Sequence, residues 1–298
     1  MNNKLIKIIT IFIIIFLICI NNTSSSCLNI VEKQIMNNNY GNTFYVGGSG
    51  PDNYSTIQSA INNTSSGDIV FVYNESSPYY ENLIISKSII LIGEDKNSTI
   101  IDGFRKNDVI FILTSNIEIR QFTIVNSSEN GIGIYVYKYA NYVKITDNII
   151  KGNYRGIYLY NPGYHLINPQ EKHIGPNENF LVKNLIINNT IGISLHGSNN
   201  NIIKKNWIEN NSCGITITMD DYPTAPPSLG NRITKNVFID NNKNAFDECN
   251  NRWISNYWDD WIGLKYKIFR FFPYRIPGSY RFMVNLDWFP IKNPTEVV

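Results

Sequence analysis

The sequence carries little charge of either sign and almost no net charge. Among its 298 residues 17% are charged, and the formal net charge at pH 7 is +2. Because no strongly basic or acidic field covers the molecule, the composition disfavours nucleic acid as a partner. No glycine-rich loop that could cradle phosphate groups is present either. The apolar content of 43% is enough for one large core, so we expect a single folded domain.

Long apolar runs are absent after the N-terminus. Ile8–Ile20 is an almost unbroken apolar run of 13 residues, followed by the small polar stretch Asn21–Ser26. This length suits the core of a signal peptide and falls short of the roughly 20 residues that span a bilayer. We predict that residues 1–26 are a signal peptide or an N-terminal membrane anchor. Cleavage, an uncleaved anchor and lipidation at Cys27 remain open.

The remaining chain is expected outside the cell, either secreted or at the cell surface. Membrane contact is then expected only through the N-terminal segment. Several Asn-x-Ser/Thr triplets agree with a glycoprotein in that compartment, including those at Asn126 and Asn188. A chain this rich in asparagine contains such triplets by chance, so they add little.

No helical periodicity runs through the second half of the chain, which instead repeats an asparagine. Five times an apolar residue is followed three positions later by asparagine, and two positions further by another apolar or aromatic residue. These asparagines are Asn148, Asn184, Asn206, Asn236 and Asn256. Ile119-x-x-Phe122-x-Ile124 is a degenerate sixth copy. Strand-like repeats spaced 20 to 36 residues apart predict a β-solenoid, in which each copy forms one coil.

The repeated asparagine has a physical use at a tight corner between two strands. An inward amide can donate to and accept from the same amide in the coils above and below, which are ~4.8 Å apart. We therefore predict that the five asparagines form a structural ladder. A second column lies five residues later, at Asn153, Asn189, Asn211 and Asn241. In the same register Cys213 and Cys249 are too far apart for a disulfide, so we expect two separate buried thiols.

Both ends of the solenoid are expected to be capped. Residues 27–53 are predicted to be a linker, residues 54–258 the β-helix and residues 259–298 a C-terminal cap. Ser55 and Gln58 form a capping box that predicts a short helix across the first coil. Large aromatic residues concentrate in the C-terminal segment and are expected to close the last coil. The alternative is a contact surface, because lysines and arginines interleave those aromatics.

The stretch from Ser55 to Gly103 contains the motifs Ile57-Gln58-Ser59-Ala60-Ile61, Gly67-Asp68-Ile69-Val70-Phe71-Val72, Tyr80-Glu81-Asn82-Leu83, Lys87-Ser88-Ile89 and Ile100-Ile101-Asp102-Gly103. With these motifs the stretch resembles the opening of right-handed parallel β-helix proteins of the pectate-lyase-like superfamily, including NosD-type surface and periplasmic members. The C-terminal motifs Asn256-Tyr257-Trp258-Asp259-Asp260 and Asn285-Leu286-Asp287-Trp288-Phe289-Pro290 are similar to the ending of NosD-type proteins. The resemblance implies an all-β, single-stranded right-handed parallel β-helix. It implies no particular chemistry, since lyases, hydrolases, epimerases and binding proteins share that fold.

A glycine column aligns the strands that follow it. With Gly133, Gly156, Gly192 and Gly214 aligned, alternation places two rows of side chains on one outer face. One row is Tyr135, Tyr158, Ser194 and Thr216, and the other is Tyr137, Tyr160, His196 and Thr218. Aromatic rings beside hydroxyl groups suit sugar rings, so we predict that Tyr135, Tyr137, Tyr158, Tyr160 and His196 bind carbohydrate. The alternative is that the tyrosines only pack on one another.

Groups suited to catalysis are sparse. Asp220 and Asp221 follow the last row, and with His196 they are weak candidates for acid, base or metal-ligand roles. Glycosidases need two carboxylates, and the pectate-lyase mechanism known in that family needs acidic calcium ligands and a base. No second acid falls clearly beside them. We therefore favour a protein that binds a polysaccharide or surface glycan, or is an envelope component, without turnover. The alternative is a polysaccharide lyase or glycoside hydrolase. Calcium would be the possible cofactor of such an enzyme.

The NosD resemblance also implies copper handling, which needs soft or imidazole ligands. The chain has three histidines, His165, His173 and His196, and four methionines without a close cluster. We expect no metal site, and the sequence does not predict an oligomeric state.

Overall fold

The structure is a computed structural model that describes residues 41–161, 175–219, 227–265, 272–280 and 283–297. Three parallel sheets, here called A, B and C, contain nine, eight and seven strands. The chain passes from A to B to C in each coil and then returns to A one rung further on. Seven complete coils follow one another, with one extra strand before them and two after them. The predicted single-stranded right-handed parallel β-helix is confirmed.

Sheet A consists of β1 (Thr43–Val46), β2 (Ile69–Val72), β5 (Ile90–Gly93), β8 (Glu118–Arg120), β11 (Lys144–Thr146), β14 (Phe180–Val182), β17 (Ile202–Lys204), β20 (Arg232–Thr234) and β23 (Arg252–Ile254). Sheet B consists of β3 (Tyr79–Tyr80), β6 (Ile100–Asp102), β9 (Thr123–Val125), β12 (Ile149–Lys151), β15 (Leu185–Ile187), β18 (Trp207–Glu209), β21 (Val237–Ile239) and β24 (Tyr257–Trp258). Sheet C consists of β4 (Leu83–Ile85), β7 (Ile110–Ile112), β10 (Ile132–Tyr137), β13 (Arg155–Tyr160), β16 (Ile191–His196), β19 (Cys213–Thr218) and β22 (Lys243–Asp247). The other elements are α1 (Ile57–Asn63), α2 (Ile262–Lys265), the antiparallel hairpin of β25 (Tyr274–Tyr280) and β26 (Met283–Asp287), and a 3₁₀ turn, Pro294–Glu296.

The core is a set of aliphatic columns inside the coils. Alternation turns the middle residue of each three-residue strand inward, as in Ile145 and Leu181 of sheet A and Ile150 and Ile186 of sheet B, all fully buried. Each such side chain stabilises the fold by about 1.5–3 kcal/mol. Toward the C-terminus aromatic side chains replace the aliphatic ones in these columns. Trp258 stacks on Phe238 at 4.2 Å on one side and on Tyr274 at 4.1 Å on the other, so aromatic rings fill the last coil.

The predicted asparagines form one continuous ladder at the corner between sheets A and B. Nδ2 of each asparagine donates to Oδ1 of the next, at 3.2 Å for Asn148 to Asn184 and at 3.0 Å for Asn184 to Asn206, Asn206 to Asn236 and Asn236 to Asn256. Each Oδ1 also accepts the backbone N–H of the preceding asparagine. All five side chains are essentially buried. Their polar atoms are therefore satisfied inside the core.

Two further ladders occupy the other two corners. The second column, Asn153, Asn189, Asn211 and Asn241, is bonded in the same way between sheets B and C. A third column lies between sheets C and A and was missed in the sequence: Asn179, Asn201, Asn231 and Asn251. Its members stand five residues before those of the first ladder. In three consecutive coils the repeating unit is thus three asparagines five residues apart.

The residue before each ladder asparagine adopts a left-handed backbone in most coils. At the corner between sheets A and B these residues include Asp147, Lys183, Lys205 and Lys235, with φ between 52° and 58°. Such a conformation costs an ordinary residue roughly 1–2 kcal/mol. The corner turns through this residue and directs the next side chain inward. Hydrogen bonds of the buried amide offset the cost of the turn.

Carboxylates end two of the ladders at the C-terminal side. Asp287 of β26 accepts from Nδ2 and the backbone N–H of Asn256 and from Nε1 of Trp258. Asp247 accepts from Nδ2 of Asn251, from Nε1 of Trp253 and from the backbone N–H of Cys249. An ionised carboxylate only accepts hydrogen bonds. It therefore suits the last rung, where donors remain and no further asparagine follows.

The N-terminal cap differs in two details from the prediction. Thr56, rather than Ser55, is the N-cap of α1 and accepts from the Ser59 N–H, while Gln58 bonds instead with the backbone of Ile84. Strand β1, which falls in the predicted linker 27–53, pairs with β2 and buries Val46 completely. An adjacent glycine-rich stretch resembled a linker and hid this strand's alternation.

The glycine column brings the backbones of successive sheet C strands close together. A Cβ atom on Gly156 would lie 2.6 Å from the Gly192 carbonyl oxygen, and one on Gly192 would lie 2.5 Å from that of Gly214. Only glycine fits this position without separating the coils.

Both cysteines are free thiols in the described part of the chain, although Cys213 is only partly buried and was expected to be buried. Burial raises the pKa of the Cys213 thiol to about 11 and that of Cys249 to about 12. No helix in the ranges given above is long and apolar enough to cross a membrane.

Candidate functional site

The outer face of sheet C carries the two predicted rows of side chains. Register pairing places Tyr135 beside Tyr158, and Tyr137 beside Tyr160. Ser194 and His196 occupy the same rows one coil later. Phe111 of β7 extends the first row on its N-terminal side and was missed. The alternation of Ile110-Phe111-Ile112 was the signal that could have found it.

These rings form what we call the tyrosine wall: Phe111, Tyr135, Tyr137, Tyr158 and Tyr160. Tyr135 stacks on Tyr158 with centroids 5.6 Å apart, and Tyr158 stacks on Tyr160 at 5.1 Å. Phe111 lies 4.9 Å from Tyr135. All five side chains are half-buried, so they pack on one another and remain partly accessible to solvent.

Burial among these rings raises the pKa of Tyr135 far above its ordinary value, and the neighbouring tyrosine hydroxyl groups add to the effect. Tyr135 therefore stays a neutral phenol at every physiological pH. A neutral phenol both donates and accepts a hydrogen bond, which is the chemistry that a sugar hydroxyl group requires.

Ser194 and His196 are placed in the predicted rows but are not exposed. Their exposed fractions are 5% and 8%, which corrects the prediction that they lie on an open face. The His196 ring packs 5.2 Å from the ring of Tyr160, and the Thr216 hydroxyl group donates to Ser194 Oγ at 3.2 Å. Sequence alternation gives the direction of a side chain and does not reveal what covers it. The four tyrosines remain as the accessible part of the predicted set.

A polar groove runs beside the wall, along the corner between sheets B and C. Its volume is about 740 Å³, and it extends over turns of six successive coils. Amide and hydroxyl groups line most of it, among them Asn188, Thr190, Asn210 and Ser212. We call this the amide groove. This groove was not predicted from the sequence, because a groove depends on how turns of different coils lie side by side.

Arg155 connects the amide groove with the tyrosine wall. Its guanidinium group lies 4.9 Å from the ring centre of Tyr154, which lines the groove, and 4.8 Å from that of Tyr158 in the wall. These distances are within the range of cation–π contacts. Groove and wall therefore share one connected surface.

Charged groups in the amide groove are few. Arg105 and Glu129 are the charged residues among those that line it in the described chain. Phe104 and Arg105 both have a left-handed backbone, with φ of 55° and 56°. Two consecutive residues of this kind are costly, and such local strain concentrates at functional sites. Here the strain places Arg105 at the edge of the groove.

Several carboxylates of the described chain are engaged in structural hydrogen bonds, as in Asp259 and Asp260, which both accept from Nδ2 of Asn244. Asp220 and Asp221 lie outside the described residues. At the start of sheet C, Asp108 accepts from the Ile132 N–H, and burial raises its pKa. Asp247, which is fully buried, is occupied by the end of the third ladder, and burial raises its pKa to about 6 against the opposing effect of the hydrogen bonds from Trp253, Cys249 and Asn251.

Metal-ligating side chains are not clustered in the described ranges, where no three His, Cys, Asp or Glu side chains come together. His165 and His173 lie outside these ranges, and His196 packs against Tyr160. Copper prefers imidazole, thiolate and thioether ligands. The donor set described here does not fit a copper centre, so we derive no step through copper.

One family model matches the chain. It is described as "Periplasmic copper-binding protein (NosD)" and covers residues 173–268, about a third of the sequence. The predicted resemblance to NosD-type proteins is confirmed to that extent. The description places that family in the periplasm, which makes an extracellular or envelope location plausible for this chain. No curated protein sequence matches significantly.

Several solved structures share the fold at low identity. Pectin methylesterase PemA from Erwinia chrysanthemi is 14% identical over 67% of this chain and 66% of its own, with a TM-score of 0.45. The Escherichia coli protein YbhC is 11% identical over 74% of this chain and 68% of its own, with a TM-score of 0.49. Pectate lyase Pel9A is 11% identical over 73% and 69%, with a TM-score of 0.47. The chain thus spans about two thirds of each of these structures, and the likeness concerns the fold.

Proposed function

We propose that the protein binds an extracellular polysaccharide along the amide groove and the tyrosine wall, without chemical turnover. The observation that carries this proposal is the continuous surface that Arg155 makes between a groove of amides and hydroxyl groups and a wall of aromatic rings. No nucleic acid is involved, and any membrane contact is made through the N-terminal segment.

The chemistry of the groove favours a ligand rich in hydroxyl groups. Amide side chains both donate and accept, so Asn188 and Asn210 together can pair with sugar hydroxyl groups in either role. Because successive coils repeat at ~4.8 Å, equivalent groups recur along the groove. A linear polymer with repeated hydroxyl groups meets similar partners at each coil. The neighbouring phenol rings supply the apolar faces on which sugar rings pack.

The scarcity of paired carboxylates favours binding over catalysis. Among the described residues that line the amide groove, Glu129 is the one carboxylate. Hydrolysis of a glycosidic bond usually needs two, at a defined separation. A protein in the envelope or outside the cell that recognises a glycan needs none.

The test is glycan binding by the full chain, with Tyr137→Ala and Tyr160→Ala in the wall and Tyr154→Ala in the groove. Each wall variant is expected to weaken binding about tenfold, because a lost ring contact of this kind is worth on the order of 1 kcal/mol and more with its buried area. Tyr45→Ala is the matched control. Tyr45 is 44% exposed and stacks on Tyr73 on the outer face of sheet A, away from the groove.

Equal binding by all four variants would overturn the proposal. So would a wild-type protein that shortens the bound polymer, which mass spectrometry of the incubated glycan detects. Removal of calcium distinguishes the enzyme alternative further, since only the lyase mechanism requires that ion.

A further inference from the structure

A row of lysines follows the corner between sheets A and B, on another side of the solenoid from the amide groove. Lys183, Lys205 and Lys235 occupy the same position in three consecutive coils, each directly before a ladder asparagine. We call them the lysine column. Register pairing places neighbouring members ~4.8 Å apart along the solenoid axis.

The backbone at this position does not require lysine. All three residues have a left-handed conformation, with φ of 58°, 57° and 53°. At the corner between sheets B and C the equivalent residues in the same three coils are Asn188, Asn210 and Asp240, also left-handed. Asparagine, aspartate and glycine are the residues that tolerate this conformation best. The fold alone therefore does not explain three lysines in sequence.

The lysine column gathers positive charge at a cost. Like charges on facing positions of neighbouring strands repel each other. In the described part of the chain the one salt bridge joins Glu118 and Arg120, so no carboxylate pairs with the column there. Asp147 holds the equivalent position one coil earlier, and Ser255 one coil later.

Sheet A adds further cations on its outer face, of which Lys204 directly precedes Lys205 and the others stand at the start of their strands. Its outward side chains include exposed Lys144, Lys204, Arg232 and Arg252. The whole chain has a formal net charge of only +2. Positive charge is therefore concentrated on this side of the solenoid.

A groove of about 530 Å³ runs along the same corner. Lys183, Lys205 and Lys96 line it together with Asp147, Leu185 and Trp207, whereas Lys235 is not among its lining residues. The Trp207 ring is half-buried, and its Nε1 donates to Glu209 at 2.6 Å, which fixes the indole in place. The groove thus combines a row of ammonium groups with a fixed aromatic ring.

We propose that the lysine column binds a linear polyanion, an acidic polysaccharide that carries a negative group on successive sugars, with its chain parallel to the solenoid axis. The charges form a line with a constant spacing, which matches a polymer with regularly repeated anions. Trp207 supplies a face for a sugar ring. A lipid surface is flat and cannot enter the groove. This site is independent of the amide groove, and either can fail without the other.

The test uses the full chain and measures binding of polygalacturonate and dextran sulfate, with neutral dextran as the uncharged reference. The column variant combines Lys183→Asn, Lys205→Asn and Lys235→Asn. Asparagine is chosen because it occupies the equivalent left-handed positions at another corner, so the variant is expected to fold. The control combines Lys106→Asn, Lys151→Asn and Lys243→Asn, which removes the same charge elsewhere. Wild type and control should bind the two polyanions, and the column variant should bind about tenfold or more weakly.

Salt provides a second readout. Binding of the wild type should weaken as ionic strength rises, because exposed charges are screened within ~10 Å at 0.1 M salt, and this dependence should be shallower in the column variant. Thermal melting at low salt shows whether the variants are folded, and the column variant should melt no lower than the wild type because repulsion is relieved.

Four results would overturn the proposal. Equal losses in both triple variants would indicate general charge attraction, and a loss only in the control would move the polyanion to the amide groove. Binding to phosphatidylglycerol vesicles without binding to either polymer would indicate a lipid surface instead. Loss of polygalacturonate binding in Tyr137→Ala, with the column variant unaffected, would leave the amide groove as the only glycan site.

Discussion

At the scale of the residue, the ladders are directional. Each asparagine accepts from the preceding coil through Oδ1 and donates to the next through Nδ2, as Asn206 does between Asn184 and Asn236. Donors consequently accumulate at the C-terminal end, where Asp287 and Asp247 accept them. An asparagine amide both donates and accepts, whereas an ionised carboxylate only accepts, so a carboxylate suits the position after the last asparagine. These carboxylates are removed from water in the folded protein, and for Asp247 this burial raises the pKa.

Asp247 is expected to make stability depend on pH. Burial raises its pKa to about 6 in the folded protein, above the ordinary value of 3.8. Between these two values the folded state holds a proton that the unfolded state has released, so the free energy of unfolding falls as pH rises from about 4 to about 6. The free energy of unfolding decreases by about 2 to 3 kcal/mol in total, and it does not recover above pH 6. Denaturant unfolding from pH 4 to pH 7 measures it.

The comparison for this prediction is Asp247→Asn, which cannot titrate. Its unfolding free energy is expected to lack that part of the slope, although the amide also brings two unwanted donors to the last rung. If wild type and variant show the same pH slope, another group is responsible.

At the scale of the element, the unit is a short strand, a left-handed residue and a buried amide. The first column could be predicted because Asn148 and its equivalents stand between apolar residues at fixed spacing. The third column carried the same five-residue spacing, yet Asn179 and Asn201 lie beside polar neighbours that made them look like loop residues. The row of His196 could be predicted from strand alternation. Its burial could not, because burial depends on residues that are distant in the sequence. Asp287 could not be assigned, because it reaches the ladder from a hairpin.

The glycine column is expected to control how closely the sheet C strands approach. Gly192→Ala would place a methyl group 2.5 Å from the Gly214 carbonyl oxygen and 3.3 Å from Ile186, so the two coils must separate locally. Overpacking of this kind costs about 1–3 kcal/mol. Thr190→Ala, at an exposed position of the same turn, is expected to change stability by less than about 0.5 kcal/mol. Urea unfolding compares the two, and equal small effects would show that the coils can move apart freely.

At the scale of the whole molecule, each coil contacts mainly its two neighbours. Such a solenoid behaves as a one-dimensional array, in which stability is a sum of coil and interface contributions. The core columns cross every interface, and from the fourth coil onward at least two of the three ladders cross each of them. The two proposed binding surfaces have the same repeat, since the lysine column and the amide groove each place similar groups at successive coils. A defect should therefore act differently at the centre and at the end of the array.

Asn206→Ala and Asn256→Ala test this expectation. Asn206 lies in the middle of the first ladder, and its loss leaves the Asn184 N–H and Nδ2 without their acceptor and the Leu181 carbonyl without a donor. Each unsatisfied buried group costs about 1–3 kcal/mol, so the central variant should lose hydrogen-exchange protection in coils on both sides. Asn256 lies in the final rung, and its loss should free the C-terminal coil while Ile145 and Ile150 stay protected. Exchange measured by mass spectrometry resolves the two patterns, and uniform loss of protection in both variants would mean that the solenoid unfolds as one cooperative unit.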